Sequence, residues 1–402
     1  MTARLLVVSN GNGEDDIACK VIDALRASGR CPKIEAWPMV GLGPAYAARG
    51  IPVVGVQNTL PSEGFGTLSL KLFARDLKAG FIATHLAQAR FARAIRGRYD
   101  LMLAVGDIVP LAAGLLSRTP MAFVSCAKSA YYGGSDGHTG SERWLMRSRC
   151  RAVFPRDGLT AERLTANRVP NTYLGNPMMD GLEATDPARF GAGAIVMLAG
   201  SRKDATENAA FLLSAARLGQ PGLGQPDLGQ PDLGQPGLRY LFPCHPSVDL
   251  TRVAALSPDW TRADWDHPLT APHLCLQSGS GAKALLMAGA FADMLHAGRL
   301  AVGMAGTANE QALGLGLPLI VVPGAGNQGP AYVKMKMHWV GEAGLSVPRK
   351  ASAVAGAITS LLADPARAEA MAQAGQRRMG KAGASVAIAA RLLDLLESGD
   401  TP

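Results

Sequence analysis

The sequence predicts an α/β protein built from two Rossmann-like, doubly wound parallel-sheet domains facing a central cleft. Three observations carry that prediction. Short β-branched or apolar runs recur along the chain, each closed by a turn and followed by a helical period, the alternation that lays helices on both faces of parallel sheets. Helices with a single apolar stripe accompany them, early through Ile17, Val21, Ile22 and Leu25 and late through Ile388, Leu392, Leu395 and Leu396. At 402 residues, 48% of them hydrophobic, the chain can bury two cores, since one domain takes roughly 100 to 200 residues.

In chain order the predicted strands are "RLLVVSN", "IPVVGV", "YDLMLAVGD", "MAFVSC", "CRAVFPRD" and "NTYLGNP", then "GAIVMLAGSR", "LRYLFPCH", "RLAVGMAGT" and "LPLIVVPGAG". Between the two groups "LGNPMMDGLEATDPARFGAG" turns to Gly, Pro and Asp, which places a boundary near residue 185. A first domain is expected over 1–185, a second over 186–380, and a closing helix over 381–402 that packs back on the first. Ligands of such sheets lie at the carboxyl ends of the strands, so the turns at Asn10, Asp107, Ser125, Gly200 and Gly306 should face the cleft. Residues 218–236 repeat "LGQP" four times; a Pro and a Gly every five residues forbid helix and central strand, which predicts a solvated loop without assigned function.

The formal net charge of +8 favours an anionic partner: nucleic acid, an anionic membrane surface or a phosphorylated small molecule. Nucleic acid is the weakest of these, because aromatic residues make up only 5% of the chain and no recognised module organises the basic ones. Cys19, Cys31, Cys126, Cys150, Cys244 and Cys275 lie far apart without a CxxC pair, which indicates neither a disulfide framework nor a metal cluster. "MTARLLVVSNGNGEDD" turns acidic too early for a signal peptide and reads as a first strand. Asp107 and Pro110, or Asp293 and His296, break the longest apolar stretches short of the roughly 20 residues a spanning helix needs. A cytoplasmic protein is expected.

Two Gly-rich turns feed helices, and each offers backbone N–H groups to an anion. The first, "SNGNGEDD", carries Glu14, Asp15 and Asp16 into the first helical turn, where a phosphate would meet three carboxylates. The second domain instead offers Ser201, Arg202 and Lys203 in "AGSRK", with Gly306, Thr307 and Asn309 in "MAGTANE". A pyrophosphate therefore belongs in the second domain. Glu310, one turn beyond, can accept both hydroxyls of a ribose; Thr307-Ala-Asn-Glu310 equally spells a T-x-x-E capping box, and spacing alone leaves the two roles level. Asn327 and Gln328 in "AGNQGP" would bring amides to the same place, or serve only the turn. His245, before Pro246, reads as a packed turn residue rather than a ligand.

The blocks "SNGNGED", "AVGDIVPL", "FVSCAKSAYY", "CRAVFPRD", "YLGNPMMDGL", "LAGSR" and "MAGTANEQALGLGLPLIVVPG" follow one another in an order that resembles the GT-B glycosyltransferases. Among these the chain is most similar to the lipid-A-disaccharide synthase-related group, over nearly its whole length. The resemblance implies a donor nucleotide in the second domain and an acceptor in the first. It implies further that Glu310 holds the ribose of a UDP-sugar, that Arg202 meets the diphosphate, and that Asp107 matches a block carrying a catalytic carboxylate. Where related sequences show a His in the first Gly loop this chain has Asn12, which leaves Asp107 or Asp15 to act as base. Asn176 likewise stands in "LGNP" where the synthases have a Gly-His-Pro turn.

The donor is thus expected at Gly200, Ser201, Arg202, Gly306, Thr307, Ala308, Glu310, Asn327 and Gln328, and the acceptor at Asn10, Gly11, Gly13, Glu14, Lys128 and Tyr131. Lys128 could instead snorkel beside core tyrosines, and Asp107 could be a strand-end cap without chemistry. An ionised guanidinium and helix N–H groups can stabilise the leaving diphosphate, so no metal and no cofactor are expected. Residues 68–98 intersperse Leu68, Leu70, Leu72, Phe73, Leu77, Phe81 and Ile82 with Lys71, Arg75, Lys78, Arg90, Arg93, Arg96 and Arg98. This basic amphipathic stretch suits reversible, peripheral contact with the cytoplasmic face of a membrane or a merely solvated helix face. The function expected is transfer of a sugar from a UDP-sugar, UDP-N-acetylglucosamine or an acylated relative, to a lipid acceptor, as in lipid A biosynthesis. The alternatives are a non-hydrolysing UDP-N-acetylglucosamine 2-epimerase, or a nucleotide-sugar-binding protein without catalysis.

Overall fold

The computed structural model describes residues 3–58, 75, 77–218, 237–326 and 328–398. The chain divides into two units, Met1–Gly181 with Gly380–Pro402, and Leu182–Met379. Most of the LGQP repeat, the stretch from Leu68 to Phe73 and Asn327 lie outside the described residues.

In the first unit β1 (Arg4–Ser9), β2 (Lys33–Pro38), β3 (Leu101–Val105), β4 (Met121–Ser125) and β5 (Cys150–Pro155) form a sheet of order β2-β1-β3-β4-β5, parallel throughout. Helices α1 (Asn12–Ala27), α2 (Pro44–Ala47), α3 (Phe81–Ala94), α4 (Ile108–Ser117), α5 (Gly140–Arg149) and α6 (Gly158–Ala166) follow the strands. Residues 5–8 and all of β3 and β4 are buried, which is why they read as unbroken apolar runs rather than alternating ones. The strand order reverses between β1 and β3, so the turns after Ser9 and Val105 open beside each other.

Two predicted strands are absent from this sheet. "IPVVGV" contributes only an isolated bridge, Val53 to Ala36. Pro52 has no N–H to give a ladder, and Gly55 sits at φ +80° where a Cβ would lie 2.7 to 2.8 Å from the rings of Phe91 and Trp37. "KIEAWP" forms the edge strand β2 in its place. "NTYLGNP" runs without strand pairing into a short 3-10 turn at Pro177–Met179.

The second unit holds β6 (Ala194–Leu198), β7 (Arg239–Pro243), β8 (Trp260–Arg262), β9 (His273–Ser278), β10 (Lys283–Met287), β11 (Gly298–Gly303), β12 (Leu319–Val321) and β13 (Gly344–Ser346). Their order is β13-β12-β11-β6-β7-β10-β9-β8. The ladder is parallel from β13 to β10, with an antiparallel edge at β9 and β8. That edge follows from a tight turn: Ser278 N–H donates to Ala282 O at 2.9 Å around Gly281, held at φ +87°. Helices α7 (Ala205–Leu218), α8 (Leu250–Ala255), α9 (Phe291–Ala297), α10 (Thr307–Gly314), α11 (Pro330–Val340), α12 (Ala351–Leu362) and α13 (Pro365–Met379) complete it. The last helix, α14 (Ala384–Glu397), returns to the first unit and packs on α1. No helix of the described residues is long and apolar enough to cross a membrane.

Candidate functional site

Glu310 is 5% exposed, in a small recess that Gly306, Gln328, Tyr332, Lys336 and Trp339 also line. It makes no capping box. Helix α10 begins on Gly306, which supplies no side-chain cap, so Thr307 is already the first helical residue and Glu310 falls one position too late to fold back on a cap. Its carboxylate instead accepts a 2.6 Å hydrogen bond from Lys336 Nζ. Helix α11 presents Tyr332, Lys336 and Trp339 on one face at spacings of four and three residues, and Nζ lies 5.8 Å from each ring centroid. The ammonium is thus held between two aromatic rings and one carboxylate.

The strand-end turns of the second unit gather around this recess. Gln328, with its amide oriented to satisfy both partners, donates to Met304 O at 3.0 Å and accepts from Gly306 N at 3.2 Å. Gly200 takes φ +93°, and a Cβ there would stand 3.7 Å from Met304 O, so the turns after β6 and β11 are neighbours. Ser201 and Thr307 are exposed, whereas Arg202 and Ala308 are half-buried. Asp204 ties in the turn after β12, accepting from Gly326 N at 3.0 Å and from Asn208 Nδ2 at 3.2 Å. His245 is a turn residue, its Nδ1 2.7 Å from Ser247 Oγ.

In the first unit Asn10, Glu14, Asp107 and Lys128 come together where β1, β3 and β4 end. A Cβ on Gly106 would stand 3.0 Å from Asn10 Cβ and 3.5 Å from Glu14 Cγ, and Gly11 starts α1 at φ +143°. Asp107 caps α4, accepting from Val109 N at 2.9 Å. Burial raises its carboxyl above the ordinary value, opposed by the Val109 N–H, the Lys128 ammonium and the Asn10 amide, while nearby Glu142 adds to the rise. Lys128 donates to Glu142 Oε2 at 2.8 Å. Glu142 is 1% exposed and closes a true capping box with Thr139, whose N–H reaches the same oxygen at 2.7 Å. Burial pushes the Glu142 carboxyl up, but Lys128 and Thr139 outweigh it and the net shift is downward.

Asp15 sits apart from that group. It is 1% exposed and takes a 2.5 Å hydrogen bond from Ser9 Oγ, itself 2.6 Å from Tyr46 OH, while its second oxygen has no partner. Burial raises its carboxyl to about 6, with Ser9 opposing and Asp16 adding. Gly13 is half-buried in the first turn of α1. The Tyr131 N–H donates to Ser129 Oγ in a 3-10 turn. Asn176 is fully buried and uses its side chain to cap Met178 N.

Sequence reasoning missed the Lys336 partner of Glu310, the Glu142 partner of Lys128, and a buried chain behind β4. There Ser125 Oγ lies 2.7 Å from His138 Nε2, and His138 Nδ1 lies 2.9 Å from Asp136 O. Asp136 accepts from Arg143 and Asn167. Burial lowers the His138 pKa against the opposing Glu142 and Asp136. The sequence signal for Glu142 was the spacing Thr139-Gly-Ser-Glu142, a T-x-x-E capping box.

Neither a protein-family model nor a curated protein matches the chain. Solved structures do match, at full length and low identity. CalG4, the calicheamicin glycosyltransferase, is 15% identical with a TM-score of 0.59, over 99% of this chain and 98% of its own. MurG of Acinetobacter baumannii is 15% identical with a TM-score of 0.54, over 98% and 99%. UDP-GlcNAc 2-epimerase from Neisseria meningitidis, solved bound to UDP-GlcNAc, is 13% identical with a TM-score of 0.51, over 97% and 100%. The chain has the GT-B fold, which glycosyltransferases and epimerases share.

Proposed function

We propose that the protein is a glycosyltransferase that moves a sugar from a UDP-sugar, UDP-N-acetylglucosamine or an acylated relative, to a lipid acceptor, in the manner of lipid A disaccharide synthases. The observation that carries the donor half is Glu310, a carboxylate buried in the recess of the second unit on a helix whose cap is a glycine, where a carboxylate can accept ribose hydroxyls. Gly200, Ser201, Arg202, Gly306, Thr307 and Ala308 supply backbone N–H groups and one guanidinium to the diphosphate. Gln328, with Asn327 next to it in sequence, meets the nucleoside side.

In the first unit Asp107 takes the proton of the acceptor hydroxyl. The acceptor oxygen bonds to the anomeric carbon, the bond from that carbon to the diphosphate oxygen breaks, and UDP leaves with its charge held by Arg202 and the Thr307 turn. Burial raises the Asp107 carboxyl above its ordinary value, the direction that makes a carboxylate a stronger base. Asn10, Gly11, Gly13, Glu14, Lys128 and Tyr131 receive the acceptor, and Asp15 stays behind as a buried acid. A lipid acceptor brings the protein to an anionic membrane face, for which exposed Ile82 and Leu86 on α3 lie near exposed Arg90 and Arg93.

The 2-epimerase reading shares the whole donor half and draws on the carboxylates of Asp107 and Glu142 around Lys128, an acid–base set that needs no lipid. Incubation with UDP-N-acetylglucosamine alone, then with a lipid acceptor, decides between them. A new sugar epimer without acceptor overturns the transferase reading, and UDP release only with acceptor supports it. Failure of uridine nucleotides to bind removes both.

A further inference from the structure

Arg349 follows β13 in "SVPRK", a stretch in which no residue stands out by sequence. Its half-buried guanidinium lies over the Phe211 ring, 4.6 Å from the centroid. A single nitrogen, Nη1, reaches three acceptors, Asn208 Oδ1 at 2.8 Å, Pro323 O at 3.4 Å and Met304 Sδ at 3.9 Å. Those acceptors stand on the segments that follow β6, β12 and β11, so one side chain joins the carboxyl ends of four strands. Every acceptor is neutral. Asp204 is the carboxylate that Arg349 feels through space, but Asp204 places Oδ2 on Gly326 N and Asn208 Nδ2. Among the described residues Nε and Nη2 donate to nothing, and no carboxylate stands within ion-pair distance.

A guanidinium that is always charged, partly desolvated and braced through one nitrogen while its other two carry three unused N–H groups is a fork laid out for an oxyanion. Met304 belongs both to this contact and to the wall of the Glu310 recess, so the fork and the recess adjoin. We propose that Arg349 binds a phosphate or diphosphate group of the ligand at the carboxyl ends of β6, β11, β12 and β13. That the anion is the diphosphate of a uridine nucleotide rests on the donor reading above; the anion site itself does not.

The test is calorimetry with three probes, UDP, uridine and inorganic pyrophosphate, on the full chain and on Arg349→Met and Arg349→Lys. Loss of hydrogen bonds to a charged group predicts that Arg349→Met weakens UDP and pyrophosphate by roughly 10- to 100-fold, with uridine unchanged and Arg349→Lys intermediate. Unchanged uridine affinity also reports that the second unit of the variant is folded. Equal weakening of UDP and uridine reduces Arg349 to a brace between strands and overturns the proposal, as does full retention of UDP affinity by Arg349→Met. Arg349-dependent pyrophosphate binding in a protein that takes neither uridine nor UDP upholds the anion site and overturns the uridine reading alone.

Discussion

If Glu310 accepts the ribose hydroxyls, the protein must tell UDP from 2′-deoxy-UDP, and Glu310→Gln must erase much of that preference. A hydroxyl donating to a carboxylate is a hydrogen bond to a charged group, contributing about 1.5 to 3 kcal/mol, or roughly 10- to 150-fold in affinity. The neutral amide oxygen of Gln retains about 0.5 to 1.5 kcal/mol, roughly 2- to 12-fold. The substitution also deprives Lys336 of its carboxylate. That loss is smaller than the penalty for breaking a fully buried pair, because the Lys336 side chain keeps 18% of its surface in solvent. It falls equally on both nucleotides and cancels in the cycle of two ligands and two proteins. Calorimetry on the four combinations gives the coupling directly. A coupling under about 0.5 kcal/mol, or a wild-type protein indifferent to the 2′-hydroxyl, would show that Glu310 serves only its ion pair with Lys336 and would refute the reasoning.

Asp107→Asn separates chemistry from capping, since Asn caps a helix about as well as Asp: turnover should fall by roughly 100-fold or more with the melting temperature unchanged, and near-full turnover would remove Asp107 as base. Asp15→Asn reads a buried acid. The folded state holds the Asp15 proton more tightly, up to about 6 from 3.8, so its contribution is most favourable below the unfolded value and is lost as pH rises through the folded one. The loss totals about 3 kcal/mol; denaturant melts from pH 3 to pH 7 should therefore show wild type losing that much relative to the variant, and parallel curves would contradict the raised pKa. Gly375→Ala should destabilise the second unit by about 1 to 3 kcal/mol, because its Cβ would stand 2.6 Å from Leu313 O, where α13 crosses the helix that carries Glu310. A calorimetric scan unchanged by the alanine would show that the two helices can separate at no cost.

Two T-x-x-E sequences show what is legible in a sequence and what is not. Thr139 to Glu142 makes a capping box, with bonds of 2.7 Å and 3.3 Å between the two residues. Thr307 to Glu310 does not, since its helix starts one residue earlier, on a glycine. The difference lies in where backbone geometry changes, which no spacing records. The buried parallel strands β1, β3, β4, β6 and β11 were legible because burial on both faces demands continuous apolar runs. The edges were not: β2 mixes Lys33 and Glu35 into its run, and the β9 edge owes its direction to a five-residue turn rather than to composition. Side-chain partners were the least visible. Lys336 meets Glu310 from 26 residues away only because α11 turns one face inward, and Arg349 reaches Asn208 across 141 residues because β13 and β6 end on the same side of the sheet. A motif search finds residues that are close in sequence. The charges that would complete this site come from strand order instead, so the neighbours of Glu310 and the anion fork of Arg349 become visible only once the sheet is assembled.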